Sequence, residues 1–463
     1  MKNINLEKRV AQLYVYLLPV RMISFFSPLV SIMHGAALYL DFIINIIGII
    51  LCVVEYRGKV RIKKDRSGLV QLGLLKLVIY LNISSLIMAF FTQIKYGDYA
   101  GKESAFSGIT GMVIYFFQYF IMFWYNSHVF ELITKQELER IFMRITNGMI
   151  ILGYFQIAVH LLGGWLFSFQ KRLDILGILY INERAKGISL LASEPAEAGG
   201  QIMLLCVAYI YAKILLEQNT RKNLYKIILF LPIIYFTKSS TTYLEFLVCT
   251  IVFLFLYCKL HGRKKSFVIG LSIVIMFVIV SIINPSIYTK FMPEEFRTNI
   301  QYILFEKMLD RNNGSTASRT VPFFTNWGAF KESPILGVGN GLQGYYYTKY
   351  FPSWGFNISG SDILEYYSKA QYSIVNGALF IPSLISGYGL VGISLILIWF
   401  KRLVNLAKYG KKQMGIFYYM FIMSIFVFIV IGMQSEICGC YYIWFMLSLP
   451  LMVKSRTKIK GRE

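Results

Sequence analysis

Long apolar runs separated by short polar connections occupy nearly the whole chain. A helix crossing a bilayer needs roughly 18–25 such residues. Twelve runs fit that reading: 10–27, 36–54, 69–92, 104–125, 145–167, 195–216, 224–239, 241–258, 267–285, 378–400, 414–434 and 437–453. One connection is large, covering residues 286–377. The pattern predicts an all-α polytopic membrane protein with about 12 transmembrane helices and one large, partly helical, outward-facing loop. Its organisation would be residues 1–285 with the first nine spans, the loop 286–377, and residues 378–463 with three spans and a basic tail. All three would form one integrated membrane domain.

Composition agrees. Of 463 residues, 56% are hydrophobic and 15% charged, with mean hydropathy +0.56. A soluble protein carries about a quarter charged residues, so a soluble globular enzyme is excluded. An aromatic share of 16% excludes disorder. The net charge of +23 would suggest nucleic acid, but its distribution gives another reason. Of 47 Lys and Arg, 29 fall on one side of the predicted topology. The short connections on the other side hold 7, and the large loop holds 8 against 7 acids. The positive-inside rule then puts both termini in the cytoplasm and the large loop on the outer side of the membrane, with no role for nucleic acid. The first run has a basic start but lacks a small-residue cleavage site, which predicts an uncleaved span.

Cys52, Cys206, Cys249, Cys258, Cys438 and Cys440 lie in or beside spans without zinc spacing, as buried apolar thiols do. No Walker A loop, HExxH, EF-hand or DxD motif occurs. His34, His128, His160 and His261 are scattered, and none lies in the large loop. Gly339, Gly341 and Gly344 match GxGxxG. A dinucleotide site needs a preceding strand and an acid about 20 residues on, so a tight turn packing a helix end fits better. A backbone nest for an anion is the second reading.

Cations in outward segments run against the positive-inside rule. Arg184 and Lys186 precede Ser193-Glu194-Pro195, which reads as a cap and first turn. Lys238 precedes Ser239-Ser240-Thr241-Thr242, and Arg319 precedes Thr320 and Pro322 at a helix expected to reach Glu332. Helix N-termini with Arg or Lys favour phosphate, and three on one membrane face could surround a diphosphate. Singly, each cation could instead meet headgroups or a carboxylate.

Within the spans, Arg21, Asp41, Lys76, His160, Lys213 and Glu245 are costly unless paired or snorkelled. Arg21 could pair with Asp41, while Lys76 and Lys213 lie near cytoplasmic ends. Glu245, two turns beyond Lys238, is either its partner or a functional carboxylate. In the loop, residues 298–311 suggest a helix lying on the membrane, and Ser361-Asp362 could cap another. Tyr345, Tyr346, Tyr347, Tyr350, Trp354 and Phe356 would either stack on sugars or form an interfacial belt.

The stretch from Ser318-Arg319 through Asn326-Trp327-Gly328 to Pro334-Ile335-Leu336-Gly337-Val338-Gly339 resembles the loop signature of the O-antigen polymerase/ligase superfamily. Arg184-Ala185-Lys186-Gly187 with Ser193-Glu194-Pro195, Thr237-Lys238-Ser239-Ser240, and Tyr388-Gly389-Leu390-Val391-Gly392 resemble further family segments in the same order. Ligase members place His-Asn near the loop's end, where this chain has Val375-Asn376. The resemblance therefore favours a polymerase over a ligase.

The resemblance implies a membrane fold like that of GT-C glycosyltransferases, needing no cofactor or metal. The substrate would be undecaprenyl-diphosphate-linked oligosaccharide as donor and acceptor, in contact with membrane lipid. The product would be capsule, O-antigen or exopolysaccharide, with a flippase and a chain-length regulator as partners. Arg319, Arg184 and Lys238 would face the diphosphate, helped by Lys186. Glu194 would activate the acceptor, either directly or by shaping the site through a salt bridge to Arg184. Trp327, Gly337 and Gly339 would position the loop. Chemistry alone points the same way, since nucleotide-sugars are not supplied outside the cytoplasm and a glycosyl diphosphate needs a stabilised leaving group. The rival from another class is a lipid-linked oligosaccharide flippase, but no inverted repeat is visible.

Overall fold

A backbone in hydrocarbon has no water to satisfy its donors and acceptors, so apolar runs there must become helices. The computed structural model describes residues 2–20, 40–55, 62, 65–98, 104–163, 187–192, 194–262, 314–352, 379–435 and 440–453. Among these residues there are helices and turns but no strands. The helices are α1 Lys2–Leu17, α2 Leu40–Glu55, α3 Arg66–Tyr96, α4 Ala105–Leu132, α5 Lys135–Leu162 and α6 Pro195–Leu215. They continue with α7 Thr220–Phe236, α8 Ser240–Leu260, α9 Gly314–Glu332, α10 Gly344–Tyr350, α11 Phe380–Tyr409, α12 Ile416–Gln434 and α13 Tyr441–Ser448.

Seven of these are long and apolar enough to cross a membrane: α3, α4, α5, α6, α8, α11 and α12. The protein is thus a multi-pass membrane protein. Ile44–Glu55 and Tyr441–Met452 are shorter apolar helices, and α7 spans 17 residues. The run 267–285, the helix expected at 298–311 and the cap at Ser361-Asp362 lie outside the described residues, as does the Arg21–Asp41 pairing. Helix α5 begins ten residues before the predicted span, because Thr134 and Glu137 form a reciprocal capping box ahead of the apolar stretch.

Helix α6 is the centre of the bundle, with 94% of its apolar window buried. Its middle, Ile202–Val207, is a π-helical segment with every side chain inaccessible. Phe142 stacks on Tyr209 at 5.9 Å and also meets Phe417 and Phe445. Tyr119 stacks on Trp444 at 4.1 Å. Ahead of α6, residues 187–192 are strapped down by the Gln156 amide. It donates to the Leu190 carbonyl at 3.0 Å and accepts from its N–H at 2.8 Å. Ile188 N donates to Phe236 O, and Gly187 lies against the Thr237 carbonyl with no room for a Cβ.

Helix α11 is broken at Gly389, where φ is 57°. The segment after α9 repairs the break. Val338 N and Gly339 N donate to Ser386 O and Gly387 O, while Leu390 N and Val391 N donate to Pro334 O and Ile335 O. The glycine-rich run is therefore a tight turn packed on a helix, as one reading held. The anion nest is not available: Gly337 N, Gly339 N and Gly341 N already donate to Ser333 O, Gly387 O and Gln343 Oε1. Gly337, at φ 79°, would place a Cβ 2.3 Å from the Gly387 backbone.

Gly337→Ala should lower stability by about 2–5 kcal/mol through left-handed strain plus backbone overlap. Gly97→Ala, at φ 68° and ψ −153° with nothing within 4 Å, should cost only the backbone strain, about 1–3 kcal/mol. Thermal midpoints of the purified proteins in detergent check the difference.

Candidate active site

Three segments meet where the outward loop is expected to face the bundle. The first is the start of α6, where Glu194 is the N-cap residue and Pro195 the first helical position. The second is the first turn of α8, capped by Ser239, whose Oγ accepts from Thr242 N at 3.4 Å. Thr242 Oγ1 donates to Pro195 O at 3.3 Å and packs against Gly199, locking the two helix starts together. Thr241 Oγ1 donates to Gln434 Oε1 at 2.7 Å, which adds the end of α12.

The third segment is α9. Sequence placed Arg319 before this helix, but α9 begins at Gly314 and carries Arg319 and Pro322 inside it. Proline favours a first turn, yet it only removes one donor and is tolerated further in where the freed group finds another partner. Arg319, Pro322 and Asn326 follow a helical i, i+3, i+7 spacing and share the inward face. Asn326 Nδ2 donates to Pro322 O at 2.8 Å, and its Oδ1 accepts from Ser386 Oγ at 2.7 Å. The Gln343 amide extends this buried network to Asn340 Oδ1 and Ser383 O. These contacts pin α9 against the broken part of α11.

Arg319 thereby comes under the electrostatic pull of both Glu194 and Glu245. Burial lowers the guanidinium pKa and the two carboxylates raise it, with burial the larger effect. Glu245 sits one turn beyond Thr241 and Thr242, only 1% exposed, on the buried face of α8. Its Oε2 has no hydrogen-bond partner among the described residues. Glu194 is exposed. The arrangement is a half-buried cation between one inner and one outer carboxylate, suited to binding an anion beside a proton acceptor.

The other expected site residues separate. Lys238 does not pair with Glu245. Its φ is 49°, and its Nζ lies 3.4 Å from His160 Nε2. Trp327 is 50% exposed on the outer face of α9, stacked on Phe330 at 5.5 Å with the Lys331 ammonium 5.9 Å from its centroid. Phe323 and Phe324 extend that exposed aromatic face. Gly337 and Gly339 belong to the turn docked on α11. Arg184 and Lys186 lie outside the described residues. Sequence reasoning gave no role to Asn326, Asn340, Gln343 or Ser386, although polar residues grouped around a glycine-rich turn were a signal.

At the far end of α9, Glu332 receives hydrogen bonds from Lys349 at 2.5 Å and from Tyr350. These donors hold its carboxyl below the ordinary glutamate range.

Residues 226–367 match the family model described as O-antigen ligase. This agrees with the O-antigen polymerase/ligase superfamily seen in the loop signature. The matched region includes Lys238, Glu245, Arg319, Trp327, Gly337 and Gly339, while Glu194 precedes it. It indicates lipid-linked glycan processing of the ligase/polymerase type. No curated protein shows a significant match to the chain.

A double-mutant cycle of Arg319→Gln and Glu245→Gln should give a coupling of at least about 1 kcal/mol in unfolding midpoints. The Glu332 clamp has a depressed folded pKa. Its contribution is complete above the ordinary value of about 4.3 and is lost as pH falls through the lowered one. Hydrogen-exchange protection across 344–350, taken relative to the intrinsic rate at each pH, should therefore fall on acidification, and Glu332→Gln should remove that dependence.

Proposed function

We propose that the protein is an extracytoplasmic glycosyltransferase that polymerises undecaprenyl-diphosphate-linked repeat units into a surface polysaccharide. The observation that carries this reading is Arg319, half-buried on α9 and under the electrostatic pull of both Glu194 and Glu245. An acceptor hydroxyl attacks the anomeric carbon of the growing chain. The bond from that carbon to the diphosphate oxygen breaks, and the leaving diphosphate keeps the electron pair. Arg319 stabilises the charge that develops there. Glu194, on the exposed side, accepts the acceptor's proton. Arg184 and Lys186 lead into the same helix start and add positive charge, so cations perform the role a metal ion has elsewhere. Lys238 meets the donor from the His160 side.

The inner carboxylate, Glu245, orients Arg319 from beneath. Gly337 and Gly339 keep the loop docked, and the exposed Trp327–Phe330 face receives a sugar ring of the acceptor. The layout is one membrane domain, with residues 1–285 and 378–463 framing the loop 286–377. Both termini lie in the cytoplasm and the loop lies outside the inner membrane. A flippase would supply the donor and a chain-length regulator would limit the product.

The description of the matched family favours ligase activity as a second reading, in which the glycan moves to a different lipid acceptor. The loop contains no His, which favours the polymerase.

In producing cells, Arg319→Ala should leave the protein in the membrane and reduce chain extension by roughly 10²–10³-fold, the usual cost of one oxyanion-stabilising donor. The glycan gel ladder should collapse to the single repeat. Lys259→Ala, in the last turn of α8 and outside the site, should keep the ladder. A normal ladder with Arg319→Ala would remove the proposal.

A further inference from the structure

A second cationic site lies about 24 Å from Ser386, at the other end of α11, allowing 1.5 Å of rise per residue to Arg402. Here α11 packs on the first turns of α3, tied by Trp399 Nε1 donating to Val70 O at 3.1 Å. Gly73 opens the seam: a Cβ there would lie 3.4 Å from the Trp399 ring and 3.7 Å from an Arg402 guanidinium nitrogen. The result is a cavity of about 470 Å³, with Arg66, Lys76 and Arg402 in its lining. Among the described residues, no carboxylate lines it. Asp65, the neighbouring acid in sequence, caps α3 and accepts from Ser67 Oγ at 2.7 Å and Gly68 N at 2.8 Å. Arg66 is held at the rim by stacking on Tyr409, with 3.9 Å from its guanidinium carbon to the ring centroid.

Three cations around one cavity repel one another unless an anion sits among them. Apart from Asn405, the rest of the lining is apolar, and Leu69 and Leu72 are 64% and 38% exposed. Arg66 and Lys76 are separated by about 15 Å of helix, with these leucines between them. A free phosphate would neutralise the cations but leave the leucines uncovered. A phospholipid satisfies both. Its phosphate meets the cations, its head alcohol lies over Leu69 and Leu72, and an acyl chain continues past Lys76 along Ile79, Ile83 and Leu86, exposed on the same face of α3.

We propose that this groove binds an anionic glycerophospholipid, its phosphate held by Arg402 and Lys76 with Arg66 at the rim. The bound lipid braces the α3–α11 pair, and thus the lower half of the helix whose upper half receives the catalytic loop. Lipid binding is independent of the proposed transferase activity, and its test reads no glycan.

The test uses the full-length protein in mild detergent, mixed with phosphatidylglycerol or with phosphatidylcholine of the same acyl chains, and native mass spectrometry. Phosphatidylglycerol should be retained in preference to phosphatidylcholine. Each cation near a headgroup contributes roughly fivefold, so Lys76→Gln with Arg402→Gln should weaken retention by about tenfold or more. Lys412→Gln, outside the groove, should retain the lipid as wild type does. If the double variant unfolds, Lys76→Gln at its exposed position gives the same comparison. Equal retention of both lipids, or undiminished retention by the variants, would overturn the proposal. So would displacement of the lipid by an equimolar amount of sn-glycerol 3-phosphate, which would identify a site for a free phosphate ester.

Discussion

Backbone groups exposed by a break in a membrane helix cannot be left to hydrocarbon, and the rest of this structure depends on how the break at Gly389 is repaired. Four backbone hydrogen bonds from the segment Pro334–Gly339 close it. The approach is so tight that Gly337 and Gly387 have no room for a side chain. The same segment follows α9 directly, so mending α11 also fixes the helix that bears Arg319. Ser386 and Asn326 join the two elements a second time. The position of a loop residue is thus set by the requirements of a transmembrane helix.

A buried acid supplies the complementary constraint. Glu245 lies in a spanning helix, where an uncompensated charge is costly. The cation acting on it, Arg319, comes from α9 rather than from its own helix. Loop docking and charge compensation therefore favour each other, and the cation they bring in remains accessible beside Glu194. Most of the protein's other Lys and Arg lie on the opposite side of the predicted topology, where they record orientation.

The spanning helices were legible because their apolar runs exceed what a soluble helix needs, as at 69–92, 378–400 and 414–434. The charged first turns of α5 were not, since Thr134 and Glu137 cap a stretch that hydropathy reads as a connection. Lys238 and Glu245 looked like partners two turns apart, but that rule holds only within a helix. Lys238 precedes the Ser239 cap in a left-handed conformation, so its side chain leaves towards His160. The Arg319–Glu245 relation crosses 74 residues and has no periodic trace. Trp327 lies in a helix as expected, on its exposed face, and that helix begins at Gly314, ahead of the start that Pro322 suggested.

The central claim is that this site joins lipid-linked glycans outside the cytoplasm. Its most direct measurement is to reconstitute the purified protein in liposomes with a lipid-linked repeat unit and resolve the products by size. The account predicts chains of several repeats that remain attached to the lipid diphosphate, with one polyprenyl diphosphate released per bond formed. Movement of the repeat unit across the bilayer without any longer product would contradict it and identify a transporter.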